Sequence, residues 1–243
     1  MLLSYHKTAC ASSSRSGFDP QNAFDESIKS AWSATSGNSG EWLSVDLGKE
    51  YNVEAVQVNF ADCFTKKKRA PMKEYGGTFT QERYIEEELV RYEYRIEYSS
   101  NGTDWAPYEE TQNTVFPHKL IPRRARARYI RIVFASAPYG QNFSISGLRV
   151  FGLDNSKKPS AVSGENAERT SATEARLSWN NQNDAMGYCI RLGIAPDKLY
   201  NSILLYGQND YTVTFLNKET EKYYFAVDSF NESGITKGSI NEF

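Results

Sequence analysis

Six side chains in the first two-thirds of the chain have the chemistry to hold a polyhydroxylated ligand: Asp62, Tyr75, Tyr84, Tyr139, Gln141 and Asn142. A sugar offers a fixed array of hydroxyls and a patch of C–H surface, so a site for one needs a flat aromatic ring and planar groups that donate and accept at once. Pro138-Tyr139-Gly140-Gln141-Asn142-Phe143 holds that mixture in a single loop. The proline stiffens the backbone on one side of Tyr139, the glycine allows close approach on the other, and the carboxamides of Gln141 and Asn142 can each donate and accept. Asp62 follows an apolar strand and can join them.

Tyr75 and Tyr84 lie in the least regular stretch, 62–91, with Lys66-Lys67-Lys68-Arg69, Gly76-Gly77 and Glu86-Glu87-Glu88. A connection this long without strand period contacts a ligand or forms a solvated charged cover over the fold. The three glutamates do not make a glycosidase pair, because consecutive residues point in different directions and the pair must face one sugar across about 5–10 Å. The two histidines, His6 and His118, stand in no zinc spacing, and no nucleophile elbow, phosphate-cradling loop or dinucleotide fingerprint occurs. His118, after Pro117, caps a turn or touches a ligand, and the turn is the simpler reading. No catalytic constellation is visible, so the chain reads as a binding protein rather than an enzyme.

A net charge of −2 argues against a polyanionic partner for the whole chain. Arg124, Arg126 and Arg128 precede an alternating strand, where an outward arginine at every second position is an ordinary solvated face. Cys10, Cys63 and Cys189 are odd in number and far apart, so neither a disulfide framework nor a metal set is expected, and buried free thiols are. No run reaches the length of a membrane span. Met1-Leu2-Leu3-Ser4-Tyr5 lacks the charged, apolar and cleavage regions of a signal peptide.

These residues must be positioned by strands. Val56, Val58 and Phe60 alternate with polar neighbours, and Glu41-Trp42-Leu43-Ser44-Val45-Asp46-Leu47-Gly48 before them reads as a short apolar strand with a Leu-Gly stop. One buried face requires a second sheet. Tyr94, Ile96 and Tyr98 form another face, Asn101-Gly102 turns the chain into a hairpin, and Ile130, Ile132 and Phe134 alternate later. Polar Leu153-Asp154-Asn155-Ser156-Lys157-Lys158-Pro159 reads as a linker. Beyond it Leu177-Ser178-Trp179, Tyr188-Cys189-Ile190-Arg191-Leu192 and Tyr223-Tyr224-Phe225-Ala226-Val227 alternate again, at the spacing of a seven-stranded sandwich. The expected fold is all-β, with sandwiches at 1–153 and 159–243 joined by a linker at 154–158.

The block Glu41–Gly48, with Ala11-Ser12-Ser13-Ser14, Asn22-Ala23-Phe24-Asp25 through Ala31-Trp32, and Tyr94–Ser99 before Asn101-Gly102, resembles the discoidin or coagulation-factor type C family. The closest likeness is to the family 32 carbohydrate-binding modules of bacterial glycoside hydrolases, and it runs from about Tyr5 to Gly152. The resemblance implies a jelly-roll sandwich, a glycan partner, a catalytic domain elsewhere in the polypeptide, and a periplasmic or extracellular location. Animal members often staple their first and last strands with a disulfide. Cys10 has no mate near Phe151, which favours a bacterial setting.

Many relatives bind a structural calcium ion in the turn corresponding to Asp25–Trp32, so Asp25 and Ser30 are candidate ligands. Ser27 and Gly147 stand where relatives carry acids, which leaves a turn closed by Asp25 and Ser30 hydrogen bonds as the alternative. The second half resembles a fibronectin type III domain, with Trp179 in its second strand and Tyr223 near its tyrosine corner. Arg191–Tyr200 resembles the C-terminal module of some multi-domain family 43 glycoside hydrolases. The resemblance implies a non-catalytic targeting region, or a spacer that packs on the catalytic domain and binds no sugar.

Overall fold

Two strands of 19 residues, each long enough to cross a whole domain, set the first part of the molecule. The computed structural model describes residues 1–61, 63, 91–114, 116, 118–138, 141–218 and 222–243. The chain divides into two compact units, 2–152 and 153–243.

In the first unit the strands are β1 (Thr8–Ala11), β2 (Trp32–Ser33), β3 (Trp42–Phe60), β4 (Tyr92–Ser99), β5 (Ala106–Thr114), β6 (His118–Ser136) and β7 (Ser144–Leu153), with a 3-10 turn at Pro20–Ala23. They form one antiparallel sheet in the order β2-β7-β3-β6-β4-β5, with β1 on β3. The short strand and the longer one expected on either side of Gly48 are a single 19-residue strand. Gly48 takes a positive φ of 91° where the β3–β6 register shifts between Asp46 and Tyr51, so the glycine bends the strand without ending it.

That bend turns one sheet into two layers. β4 pairs with the last part of β6, which pairs with the first part of β3, yet the Phe60 ring at the far end of β3 stacks on Tyr92 of β4 at 4.0 Å. The sheet must therefore fold over itself. Leu43, Val45 and Leu47 before the bend and Val53, Val56 and Val58 after it are all fully buried. Trp32 beside β7 stacks on Phe134 of β6, and Phe134 on Phe143, so the core lies between the layers.

The β4–β5 hairpin forms as expected, although its connection is longer than two residues. Asn101 Oδ1 accepts the backbone N–H groups of Thr103 and Asp104, and Gly102 supplies the positive φ. The arginine run also reads as expected: Arg124, Arg126 and Arg128 pair across the strand with Glu54, Glu50 and Asp46. The cysteines are free, but none is buried, which corrects the expectation of buried thiols: Cys10 is exposed on the outward side of short β1, and Cys63 and Cys189 are half-buried.

The second unit contains β8 (Asn166–Arg169), β9 (Ala175–Ser178), β10 (Gly187–Gly193), β11 (Asn201–Tyr206), β12 (Asp210–Val213), β13 (Tyr224–Asn231), β14 (Gly234–Thr236) and β15 (Asn241–Glu242). A three-stranded sheet, β12-β9-β8, and a five-stranded one, β11-β10-β13-β14 with β15 also on β13, enclose Leu177, Trp179, Ile190, Phe225 and Val227. β14 and β15 pair with opposite ends of β13, so they are two pieces of one edge. Between them Gly238 N–H donates to Asp228 Oδ1, which Arg191 holds through a two-point ion pair. Segment 154–158 is bound within this unit: Asp154 N–H donates to the Glu232 carbonyl, and Asn231 Nδ2 donates to the Lys157 carbonyl.

Gly152 marks how closely the strands of the first unit approach. A Cβ there would stand 2.2 Å from the Asn52 carbonyl oxygen, which is backbone and cannot swing away. Gly152→Ala is expected to destabilise the first unit by about 1–3 kcal/mol, seen as a lowered melting transition; an unchanged melt would show that the two strands separate readily.

Candidate functional site

The folded-over sheet brings four connections to one end of the first unit. Both ends of β3, the start of β4, the end of β5, both ends of β6 and the start of β7 meet there, through the pairs Tyr92↔Thr114, Asn59↔His118 and Glu93↔Ser136 and the bond from Ala61 N–H to the Ser144 carbonyl. Loops on a rigid strand frame carry side chains released from core packing.

Glu41 knits this end together. Its carboxylate accepts the hydroxyls of Ser12 and Ser13 on one oxygen and that of Ser36 on the other, at 2.8 Å for Ser13 and 2.7 Å for Ser36. Burial alone would raise the Glu41 carboxyl, but the hydroxyl donors together outweigh it and hold the group below its ordinary value. Its backbone carbonyl accepts from Phe134 N–H, fixing the loop to β6. Ser12 and Ser13 belong to the serine run that carried the family likeness, so their number was legible in the sequence while their common acceptor was not.

Gln141 and Asn142 face inward. Gln141 is 2% exposed, and its Nε2 donates to the Tyr92 hydroxyl. Asn142 is half-buried, and its Nδ2 donates to the Ala34 carbonyl at 2.8 Å. The expectation that Gln141 meets a ligand is corrected: a planar amide beside a strand end satisfies buried backbone and hydroxyl groups as readily as it satisfies a sugar. The two amides anchor the loop after residue 140 to β4 and to the β2–β3 connection. Asp62, Tyr75, Tyr84 and Tyr139 lie outside the described residues. Among the described side chains at this end, Phe116 is 65% exposed and His118 is exposed beside Asn59. Beneath them the Tyr94 hydroxyl is buried without a partner among the described residues, and burial pushes its pKa up.

The Asp25 turn is closed by its own groups. Asp25 Oδ1 accepts Ser27 N–H at 2.9 Å and Oδ2 accepts the Ser30 hydroxyl at 2.6 Å. The next acid, Glu26, is turned away by a positive φ of 60° and forms an ion pair with Arg149 at 2.8 Å. Calcium requires six to eight oxygens and favours several carboxylates. One carboxylate with both oxygens engaged, and a second neutralised by a guanidinium, do not fit that demand. Among the described residues no group of three or more His, Cys, Asp or Glu side chains is placed to hold a metal.

Two predictions follow from these networks. Because the folded Glu41 pKa lies below its unfolded value near 4.5, its contribution to stability is complete above that value and disappears as pH falls through the folded value. Asp46, lowered chiefly by the Arg128 bond, acts in the same direction. The first unit should thus lose melting temperature below about pH 4.5, less steeply in a Ser12→Ala, Ser13→Ala, Ser36→Ala variant; equal slopes would remove Glu41 as the source. Chelator and added calcium should both leave the melt unchanged, since a ligand specific for the native state would raise it.

Among solved structures, the chain is similar to chitosan-binding module 1 of a chitosanase/glucanase from Paenibacillus sp. IK-5, at 22% identity over 63% of this chain and 99% of that chain, with a TM-score of 0.48. It is similar to a Streptococcus pneumoniae fucose binding module at 19% identity, covering 63% and 95% of the two chains, with a TM-score of 0.43. A Ruminococcus gnavus GH29 fucosidase in complex with fucose is 19% identical, covering 64% of this chain and 27% of that one, with a TM-score of 0.46. No curated protein sequence matches the chain. Residues 8–80 match the F5/8 type C domain family.

Proposed function

We propose that the chain is a non-catalytic carbohydrate-binding region that works in cis with the catalytic domain of a periplasmic or extracellular glycoside hydrolase. The observation that carries this reading is the loop-bearing end of the first unit, where Gln141 and Asn142 anchor the loop after Tyr139 and Gly140 through side-chain bonds to β4 and to Ala34. A loop anchored by its own amides gives up little entropy on binding. The family match over residues 8–80 supports the same assignment. The contact residues in this reading are Asp62, Tyr75, Tyr84 and Tyr139, with Tyr139 as the stacking ring.

In the second unit the first, second and fifth strands share one sheet, and the third, fourth, sixth and the divided edge strand share the other. That division supports a fibronectin type III-like sandwich. Asn217 N–H donates to the Tyr223 hydroxyl at 2.7 Å, as a tyrosine tying a connection to a strand would. Binding through the first unit would raise the effective concentration of the attached enzyme at its polymer.

A spacer role without sugar binding is favoured by a different observation: Leu204 on β11 and Ile235 on β14 are 57% and 48% exposed, apolar surface suited to packing on another domain. A glycan array with the whole chain separates the readings. Binding to at least one glycan, weakened in Tyr139→Ala by about 1–2 kcal/mol with the melt unchanged, is expected. Absence of binding to every glycan favours the spacer, and loss of binding together with loss of folding makes Tyr139 a packing residue.

A further inference from the structure

Among the described residues, two buried side-chain atoms of complementary type in the second unit have no hydrogen-bond partner: Nε1 of Trp179, a donor, and Oε1 of Glu165, an acceptor. Their placement follows from the β8–β9 ladder, in which Ala167 pairs with Leu177 and Asn166 with Ser178. Beyond that pair the register slips by one residue, because Asn180 N–H donates to the Ser163 carbonyl at 2.9 Å and Gly164 takes a φ of 67°, so Gly164 and Glu165 together face Trp179. Residues two apart along an extended strand share a face. Glu165 is therefore in the inward column with Ala167, and Trp179 in the inward column with fully buried Leu177. Trp179 itself is 3% exposed.

A carboxylate placed in a core column needs a reason, because a buried polar atom is nearly always hydrogen-bonded. The surroundings are rich in amides. Trp179 and Asn209 exchange bonds, with Trp179 N–H donating to the Asn209 carbonyl at 3.0 Å and Asn209 Nδ2 returning to the Trp179 carbonyl at 3.1 Å. The Tyr188 ring meets Trp179 edge-on at 5.3 Å, and its hydroxyl accepts Gln182 N–H and donates to Asn181 Oδ1. The Trp179 backbone is thus held by Asn209 and its ring by Tyr188, while its indole N–H meets no acceptor among the described residues.

We propose that this end of the second unit is a hydroxyl-binding site, in which one O–H group donates to Glu165 Oε1 and accepts from Trp179 Nε1–H. A hydroxyl satisfies both atoms at once because it carries a donor and two acceptor positions. Water and a saccharide hydroxyl share this chemistry, and the carboxamides of Asn180, Asn181, Gln182 and Asn209 at the rim suit the neighbouring hydroxyls of a sugar. The site is separate from the one proposed in the first unit and does not rest on it.

The test uses the full chain labelled with ¹⁵N, whose four tryptophans give four indole signals, that of Trp179 identified by Trp179→Phe or by spin-label relaxation from the exposed rim. A cross-peak between the Trp179 indole proton and long-lived water, kept in Glu165→Gln and lost in Glu165→Leu, identifies water as the source. A saturable shift of that signal on titration with glucose, galactose or N-acetylglucosamine, also lost in Glu165→Leu and unaffected by Tyr139→Ala, identifies a saccharide hydroxyl. An indole proton that exchanges slowly, shows no water cross-peak and ignores all three sugars overturns the proposal, since it would mean a direct Glu165–Trp179 bond or a dry contact.

Discussion

The antiparallel ladder between β3 and β6 is the constraint on which the first unit depends. Each strand is 19 residues long; β3 has an inward row of apolar side chains on both sides of the bend, and β6 has Ile130, Ile132 and Phe134 on one side and Ile121 on the other. A flat sheet of that length would bury one layer's apolar face and expose the other's. Folding at Gly48 puts both rows in one core and keeps the ladder continuous, so few backbone groups lose partners at the corner. The loop-bearing end then follows from geometry, because a strand pair that folds over delivers its start and its finish to the same place.

Much of this was legible in the sequence, and the parts that were not share a cause. Alternation located β3, β4, the second half of β6, and β9, β10 and β13 of the second unit, because side-chain burial is local information written at period two. The unity of β3 was not legible, since a Leu-Gly pair that bends a strand and one that stops it look alike until the partner strand is known. The function of Gln141 was misread for a related reason. A carboxamide has the same donors and acceptors whether it faces a sugar hydroxyl or the phenol of Tyr92, and only the fold decides which partner is within reach. Glu41 was visible only as part of a motif, because two of the three hydroxyls that converge on it lie 28 and 29 residues before it.

The charged groups of the first unit are arranged to hold its surface rather than to attract a polyion. Arg124, Arg126 and Arg128 each meet an acid across the strand, and Arg131 bonds Glu97 while its guanidinium lies 4.0 Å from the centre of the Trp105 ring. Exposed pairs of this kind contribute only about 0–1 kcal/mol each, so their weight lies in neutrality. With Arg124, Arg126 and Arg128 paired across the strands, this face of the sheet carries little net charge.

The same physics distinguishes the two turns in which acids and serines meet. At Asp25, each carboxylate oxygen takes a donor from the turn itself, and the adjoining acid is bound to Arg149 of β7. At Glu41, the donors come from two loops that are remote in sequence. The first arrangement shapes a local turn and ties it to the sheet with a guanidinium in the place where a cation's charge would act. The second fastens separate loops to one another, and so it governs how firmly the loop-bearing end is held. A carboxylate satisfied by neutral hydroxyls keeps its charge at neutral pH without needing a counter-ion, which means the frame beneath the proposed ligand site is set by folding alone.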